Sequence, residues 1–264
     1  MDNQTLDIIL GTHNHLELTI DCIHALYSHT KIPFRLFVID DSTDLTEQWI
    51  ENWQKTHDNL IYIRPEEKLT SGNQVINIGL SKTESPIVCY VNNSVVVDPN
   101  WCDVAFPFIQ RETKVGIVGF KLLKSSGVIE HAGIFFTPDM PHHLNFGTGE
   151  PAQHCTYIQD IGIVGFALVL IRRAAVPIGG FDEKTYIGFR GYDDLDNCLT
   201  VGQAGWKVVY CGLGSAYHYA LSTRAEGDIQ KLAMEAEENR VRFTKKWGSL
   251  KDRKDIVFSD NTFV

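Results

Sequence analysis

A chain of 264 residues with 44% hydrophobic and 22% charged residues has the length and composition of a folded α/β domain, which excludes a disordered polymer. Its net charge of −9, with no basic stripe, excludes nucleic acid as the expected partner. The six cysteines (Cys22, Cys89, Cys102, Cys155, Cys198, Cys211) form no C-x-x-C pair, which points to a reducing compartment and not to a disulfide framework.

The N-terminus lacks the basic-then-apolar layout of a signal peptide. The longest apolar run, Ile161 to Ile171, is too short to span a bilayer and reads as a buried strand. No transmembrane segment is expected. The expected setting is cytoplasmic, with a peripheral place at a membrane left open.

In chain order, roughly the first 120 residues alternate as parallel α/β units do. Leu6 to Leu10 is a strand, and Asn14 with Glu17 gives the following helix a capping-box start. Phe34 to Ile39 is the second strand, ending on Asp40-Asp41, and Asp44 with Glu47 caps a helix carrying Trp49, Ile50 and Trp53 inward. Leu60 to Ile63 is the third strand, Thr70/Ser71 opens a helix through Leu80, and Pro86 to Val91 is the fourth strand. Val115 to Leu123 and Val128 to Phe136 read as a hairpin around Ser125-Ser126-Gly127. Thr137 to Cys155 reads as a long functional loop. Trp206 to Cys211 is a strand, Asp193 to Ala204 a helix stopped by Gly205, and Asp228 to Trp247 an exposed helix before a polar tail.

Three places carry chemistry. The fourth strand delivers Asn92-Asn93-Ser94 at its C-terminal end, where α/β proteins build ligand sites. Asp40, on the second strand's end, is placed to accept hydrogen bonds from a nucleobase or ribose, whereas Asp44 reads as a cap. Asp193-Asp194-Leu195-Asp196 opens a helix with three acids; matching the helix dipole accounts for some of them, and a general base for the other reading. Tyr217-His218-Tyr219 follows a glycine-containing turn. His131, His142, His143, His154 and Cys155 fit no compact zinc spacing, while His142-His143 suits an acceptor or phosphate site. No G-x-S-x-G elbow, Walker A loop or G-x-G-x-x-G fingerprint is present, which argues against serine hydrolases, P-loop NTPases and standard dehydrogenases.

Taken in order from about Asp7 to about Trp247, these segments resemble the inverting glycosyltransferases of family 2, and among them rhamnosyltransferase-like members. Thr12-His13-Asn14, Val38 to Asp44, Asn77-Ile78-Gly79, Gly127 to Gly133, Gly165 to Arg173, Gly179 to Glu183, Tyr192 to Asp196 and His218 carry the likeness. The resemblance implies a GT-A fold, an α/β architecture with a Rossmann-like mixed central sheet and helices on both faces. It implies one domain over 1–264: a nucleotide-sugar-binding half over about 1–100, an acceptor-binding half over about 101–225, and a C-terminal helix and tail over 226–264.

The resemblance further implies a UDP- or dTDP-linked sugar donor and a glycan, lipid-linked or protein acceptor. Thr12, Asp40, Asp41, Asn73, Asn92, Asn93 and Ser94 would line the donor site. Asp194 would be the general base, oriented by Asp193 or Asp196. His142, His143, Gly165 and Arg224 would lie on the acceptor or phosphate side. A divalent metal, Mn²⁺ or Mg²⁺, would be held by His218 with Asn92 or Ser94.

The departure falls on that metal. The resemblance implies an acid at this position, where the chain has Ser94. Three explanations follow: the metal is carried mainly by the diphosphate and His218, the diphosphate is met by Lys, Arg and helix N–H groups without metal, or the chain binds a donor without turning it over.

Overall fold

The computed structural model describes residues 5–136, 141–143, 149–186, 188, 191–219, 229–248 and 250. The first half follows the expected alternation: β1 (Leu6–Thr12), α1 (Leu16–His29), β2 (Phe34–Asp40), α2 (Thr46–Gln54), β3 (Leu60–Ile63), α3 (Gly72–Lys82) and β4 (Ile87–Asn92). β5 (Val95–Val97) and α4 (Ala105–Arg111) come next. β6 (Val115–Leu123), β7 (Ile129–His131), β8 (Ile134–Phe136), β9 (Pro141–His143), β10 (Ile158–Asp160) and β11 (Leu168–Arg172) then precede α5 (Asp193–Gln203), β12 (Lys207–His218) and α6 (Ile229–Trp247).

One sheet runs through the molecule in the order β10-β12-β6-β11-β4-β1-β2-β3, with β5 added to β12 and β7 to β6. β3, β2, β1 and β4 are parallel, so their C-terminal ends share one edge. β11 runs antiparallel between β4 and β6, and β12 runs parallel to β6. This mixed order brings the ends of β4 and β12 together: β12 pairs with β5, setting His218 opposite Val95, and the Tyr219 amide donates to the Ser94 carbonyl at 2.9 Å.

Alternate strand residues build two cores, one on each face. Ile9, Ile39, Tyr90 and Ile171 pack with α3 and α5, while Ile8, Leu10, Val38 and Val91 pack with α1, α2 and α4. Each fully buried Ile, Leu or Val contributes about 1.5–3 kcal/mol over the exposed state. Gly79 lets α3 lie directly on Ile9, whose side chain occupies the space that a Cβ would need. Among the described residues no helix is long and apolar enough to cross a membrane.

Several local expectations are corrected. Asn14 does not cap α1. It adopts a left-handed conformation, as does His15, and its side chain accepts from the Thr43 amide at 2.7 Å. Asp44 stands in, accepting from the Thr46 amide at 3.0 Å and from the Leu16 amide at 3.2 Å, so one carboxylate closes the starts of two helices.

The apolar run 161–171 is not one strand, because only Leu168 onward joins the sheet. Residues 161–167 are buried but irregular. Their amides reach the Val208 carbonyl, the Cys198 sulfur and the His131 ring instead of a neighbouring strand. The second hairpin strand breaks at Gly133, with φ of 106°, and β8 turns away to pair with β9 inside the expected loop. β12 runs on through Gly212 and Gly214 to His218 as a bulged strand. Those glycines make room for the Cys155 and Trp101 carbonyls and do not form a turn. Trp101 is core, 1% exposed, as expected.

The C-terminal helix is docked as well as exposed. Phe243 packs against Tyr192 with the rings tilted by 49° and their centroids 5.3 Å apart, and Arg242 donates to the Thr185 carbonyl at 2.7 Å.

Candidate active site

The site is built where β1, β2 and β4 end. Thr12 and Asp40 are register partners across β1 and β2. Asp40 is fully buried. Its Oδ1 accepts from the Thr12 hydroxyl at 2.7 Å and the Ser42 amide at 3.1 Å, and its Oδ2 from the Tyr62 hydroxyl and Arg64 Nη1, both at 3.0 Å. The carboxylate is therefore saturated by the protein, and a ligand reaches it only by replacing a donor. Arg64, 39% exposed, is the partner open to solvent. Asp41 accepts from the Leu69 amide at 3.0 Å and ties β2 to the approach of α3.

At the end of β4 the three small polar residues divide. Asn93 is buried and donates to the Asn14 carbonyl and the Thr19 hydroxyl, both at 3.0 Å, so it braces the loop after β1. The Asn92 amide and the Ser94 hydroxyl make no side-chain hydrogen bond among the described residues. Asn92 is half-buried and Ser94 is 4% exposed.

The acids at the start of α5 also divide. Tyr192, with φ of 71°, turns the chain into the helix, so that Asp193 points back toward α3. Its Oδ2 is 3.3 Å from where a Cβ on Gly72 would stand, and the Tyr90 hydroxyl is 3.7 Å from that point. Burial raises the Asp193 carboxyl above the ordinary carboxylate range, against the pull of the amides of Asp193 and Asp194. Burial, and then Asp193, push the Tyr90 phenol up as well. Asp194 is half-buried beside it, with Oδ1 accepting from the Leu195 amide at 2.9 Å.

Asp196 does not join them. It is buried and accepts from the Tyr186 hydroxyl at 3.0 Å, Lys246 at 2.8 Å and the Trp247 indole at 2.6 Å, which makes it the clamp that holds α6. Asn73 is likewise fully buried, donating to the Asp182 carbonyl at 2.8 Å and exchanging hydrogen bonds with Asn197. Asn77 likewise holds the Phe181 backbone.

His218 meets Glu130, with Nδ1 3.1 Å from Oε2. Gly165 packs on His131, whose Nε2 accepts from the Gly133 and Gly165 amides at 3.2 Å. That acceptor role makes His131 a core group. His142 and His143 lie on β9, but their side chains lie outside the described residues, as does all of Arg224. Among the described residues no group of three His, Cys, Asp or Glu could hold a metal ion. A shallow recess of about 340 Å³ lies between the C-terminal half of α3 and residues 173–180, and it holds none of the acids.

Sequence reasoning missed two residues. Tyr90 reads as an ordinary apolar strand position, yet it is 5% exposed with a hydroxyl that has no hydrogen-bond partner among the described residues. Glu130 falls within the hairpin segment Gly127 to Gly133 with no role of its own in the sequence. Nothing in the local pattern separates either from its neighbours.

Residues 7–174 match the family model for "Glycosyl transferase family 2". The chain is 25% identical over 273 residues to the uncharacterized protein y4gI of Sinorhizobium fredii, a match that covers 98% of this chain and 28% of that protein. It is 23% identical over 240 residues to the O-antigen biosynthesis protein RfbC of Myxococcus xanthus, covering 83% and 18%. The chain thus spans under a third of the length of these curated relatives.

Among solved structures, GalNAc-T7 with UDP, GalNAc and Mn²⁺ superposes with a TM-score of 0.66 at 15% identity, covering 81% of this chain and 43% of that one. Residues 1–349 of S. aureus TarS with UDP-GlcNAc give 0.58 at 15% identity, covering 94% and 74%. The mannosyltransferase PcManGT of Pyrobaculum calidifontis with GDP-Man and Mn²⁺ gives 0.59 at 15% identity, covering 94% and 76%. The fold is GT-A, as expected. With the family model spanning most of the sheet and the acids gathered at its strand ends, the chain belongs to glycosyl transferase family 2.

Proposed function

We propose that the chain is an inverting glycosyltransferase that moves a sugar from a nucleotide-sugar donor to a glycan, glycolipid or glycoprotein acceptor. One observation carries this reading. The ends of β1, β2 and β4, bearing Thr12, Asp40 and Asn92 to Ser94, meet the acid-bearing start of α5 across Gly72 and Tyr90. The structural relatives bound to UDP, UDP-GlcNAc and GDP-Man support a nucleotide sugar as ligand, and the O-antigen relative supports a polysaccharide product. UDP- and dTDP-sugars are the donors to test first. The donor belongs to about 1–100 and the acceptor to about 101–225, in a cytoplasmic setting.

The chemistry follows from the positions. An acceptor hydroxyl attacks the anomeric carbon from the side opposite the diphosphate, and Asp194 takes the hydroxyl proton as the new C–O bond forms. The bond from the anomeric carbon to the diphosphate oxygen breaks, its electron pair leaves with the nucleotide, and the configuration inverts. Asp193, one residue earlier, orients Asp194. Asp40 fixes Thr12, Tyr62 and Arg64 on the nucleotide side, and a base N–H or ribose hydroxyl enters by displacing Arg64.

A divalent cation, where the reaction uses one, would be carried mainly by the donor diphosphate with His218 and Asn92 or Ser94, since the described residues offer no group of three His, Cys, Asp or Glu to hold it. Mn²⁺ or Mg²⁺ there would neutralise charge on the departing diphosphate. The acceptor side takes in Gly165, with His142, His143 and Arg224.

The neutral Ser94 favours a second reading, a nucleotide-sugar-binding module without turnover. Thermal stabilisation by UDP- or dTDP-sugars, together with release of the nucleoside diphosphate, supports the enzyme. Stabilisation without release on any donor supports the binding module, and no stabilisation by any nucleotide sugar contradicts both.

A further inference from the structure

Asp40, Asn93 and Asp196 spend their polar atoms on the protein, but one buried hydroxyl at the strand ends does not. Tyr90 lies on β4 opposite Ile9 of β1 and Val169 of β11, and its side chain joins the core on the α3 and α5 side. It is 5% exposed, and its hydroxyl has no hydrogen-bond partner among the described residues. Thr46 Oγ1 and Trp53 Nε1 are the unpartnered polar atoms sealed inside the described residues, and the Tyr90 oxygen is not one of them. It keeps an opening. Two glycines shape that opening: a Cβ on Gly11 would stand 3.6 Å from the Tyr90 oxygen, and one on Gly72 would stand 3.7 Å from it. The same point on Gly72 lies 3.3 Å from Asp193 Oδ2, so phenol and carboxylate border one gap at the start of α3. Asn92, two residues on from Tyr90, shares its face of β4 and sits opposite Gly11 in register.

The neighbours decide what chemistry suits the gap. A buried hydroxyl without a partner costs free energy, which a ligand supplying a hydrogen bond returns. Asp193 is already a desolvated carboxylate, so an anion beside it adds repulsion, and this disfavours phosphate despite the nearby helix start. An apolar group would leave the phenol unmatched. A neutral hydroxyl both donates and accepts, as the phenol does, and it can also donate to the carboxylate. We infer that Tyr90 is a specificity-determining residue, whose hydroxyl pairs with one hydroxyl of the transferred sugar in the gap left by Gly72. This inference rests on the nucleotide-sugar reading of the site and deepens it.

The test uses the full chain and calorimetric binding, which reads recognition apart from turnover. The probes are UDP, dTDP, UDP-glucose, UDP-galactose, UDP-GlcNAc and dTDP-rhamnose, then the monodeoxy analogues of whichever sugar nucleotide binds most tightly. The wild type is expected to bind one monodeoxy analogue about 2–10-fold more weakly than its parent, the scale of one neutral hydrogen bond. Tyr90→Phe is expected to bind that analogue and the parent alike, with the affinity for the free nucleoside diphosphate unchanged. Its urea midpoint should hold or rise, since the substitution removes an unmatched hydroxyl from the core. Gly72→Ala puts a methyl in the gap and is expected to weaken the parent sugar nucleotide more than the nucleoside diphosphate. A Tyr90→Phe protein that discriminates as the wild type does, or a wild type indifferent to every deoxy position, overturns the inference and leaves the nucleotide-sugar reading standing. So does a Tyr90→Phe loss that is equal for sugar nucleotide and nucleoside diphosphate, or a Gly72→Ala protein with wild-type affinity for the parent. A folded wild type that binds no nucleotide sugar strikes the nucleotide-sugar reading itself, and the inference with it.

Discussion

Asn73 and Asn197 exchange amide hydrogen bonds across the core, Asn73 donating at 3.0 Å and Asn197 at 2.7 Å. Both are buried, and the pair joins α3, beside the nucleotide side of the site, to α5, which carries the acids. Replacing one partner leaves a buried amide unmatched, at a cost of about 1–3 kcal/mol. Asn73→Ala is therefore expected to lower the urea midpoint and to reduce transfer by loosening the start of α5. A variant with wild-type stability would show that the two helices do not depend on the pair.

Asp196 makes a similar point from the other side of α5. With three donors from Tyr186, Lys246 and Trp247 around it, Asp196→Ala leaves Lys246 with Asp182 alone and the Trp247 indole without its acceptor. The expected loss is about 3 kcal/mol, the scale of breaking a buried charged network. Hydrogen exchange should locate the effect, with faster exchange at 239–247 and little change in β1 to β4. Uniform exchange across the chain would contradict the clamp.

At the opposite end of β1, Asp7 is fully buried and accepts from Arg35 at 2.7 and 2.9 Å and from the amides of Glu84 and Ser85 at 2.9 Å. Burial alone would raise its carboxyl, but Arg35 and these amides hold it below the ordinary value of 3.8. Asp182 is lowered by the same balance, with Thr185 and Lys246 outweighing burial. A depressed carboxylate stabilises the fold fully above the unfolded value and loses that contribution as pH falls through the folded one. Stability should therefore fall on acidification below about pH 4, and Asp7→Asn should make that fall shallower while lowering stability at pH 7. Urea titrations between neutral and acidic pH measure both, and an equally steep fall in Asp7→Asn would count against Asp7 as a source.

The parallel half of the fold was legible because strands buried on both faces and amphipathic helices leave different periods in the sequence. Residues 161–167 were not, since an apolar run records burial and not where its amides find partners. Here the partners were the His131 ring, the Cys198 sulfur and the Val208 carbonyl. In the site, the strand-end positions of Asp40 and Asn92 to Ser94 and the helix start at Asp193-Asp194 could be read from spacing. Asn73 and Asp196 sat on the expected helices, but their burial against Asn197 and α6 depends on contacts about 50 to 124 residues apart in sequence, which spacing does not encode. Glu130 gained meaning only when β6 carried it beside His218.

The central claim is that Asp194 serves as the base for transfer from a nucleotide sugar. Release of nucleoside diphosphate from UDP- and dTDP-sugars by the wild type and Asp194→Asn tests it most directly. The account predicts release by the wild type on at least one donor and a loss of about 10²–10⁴-fold in Asp194→Asn, with donor-induced thermal stabilisation retained. Equal release by the two proteins would contradict it.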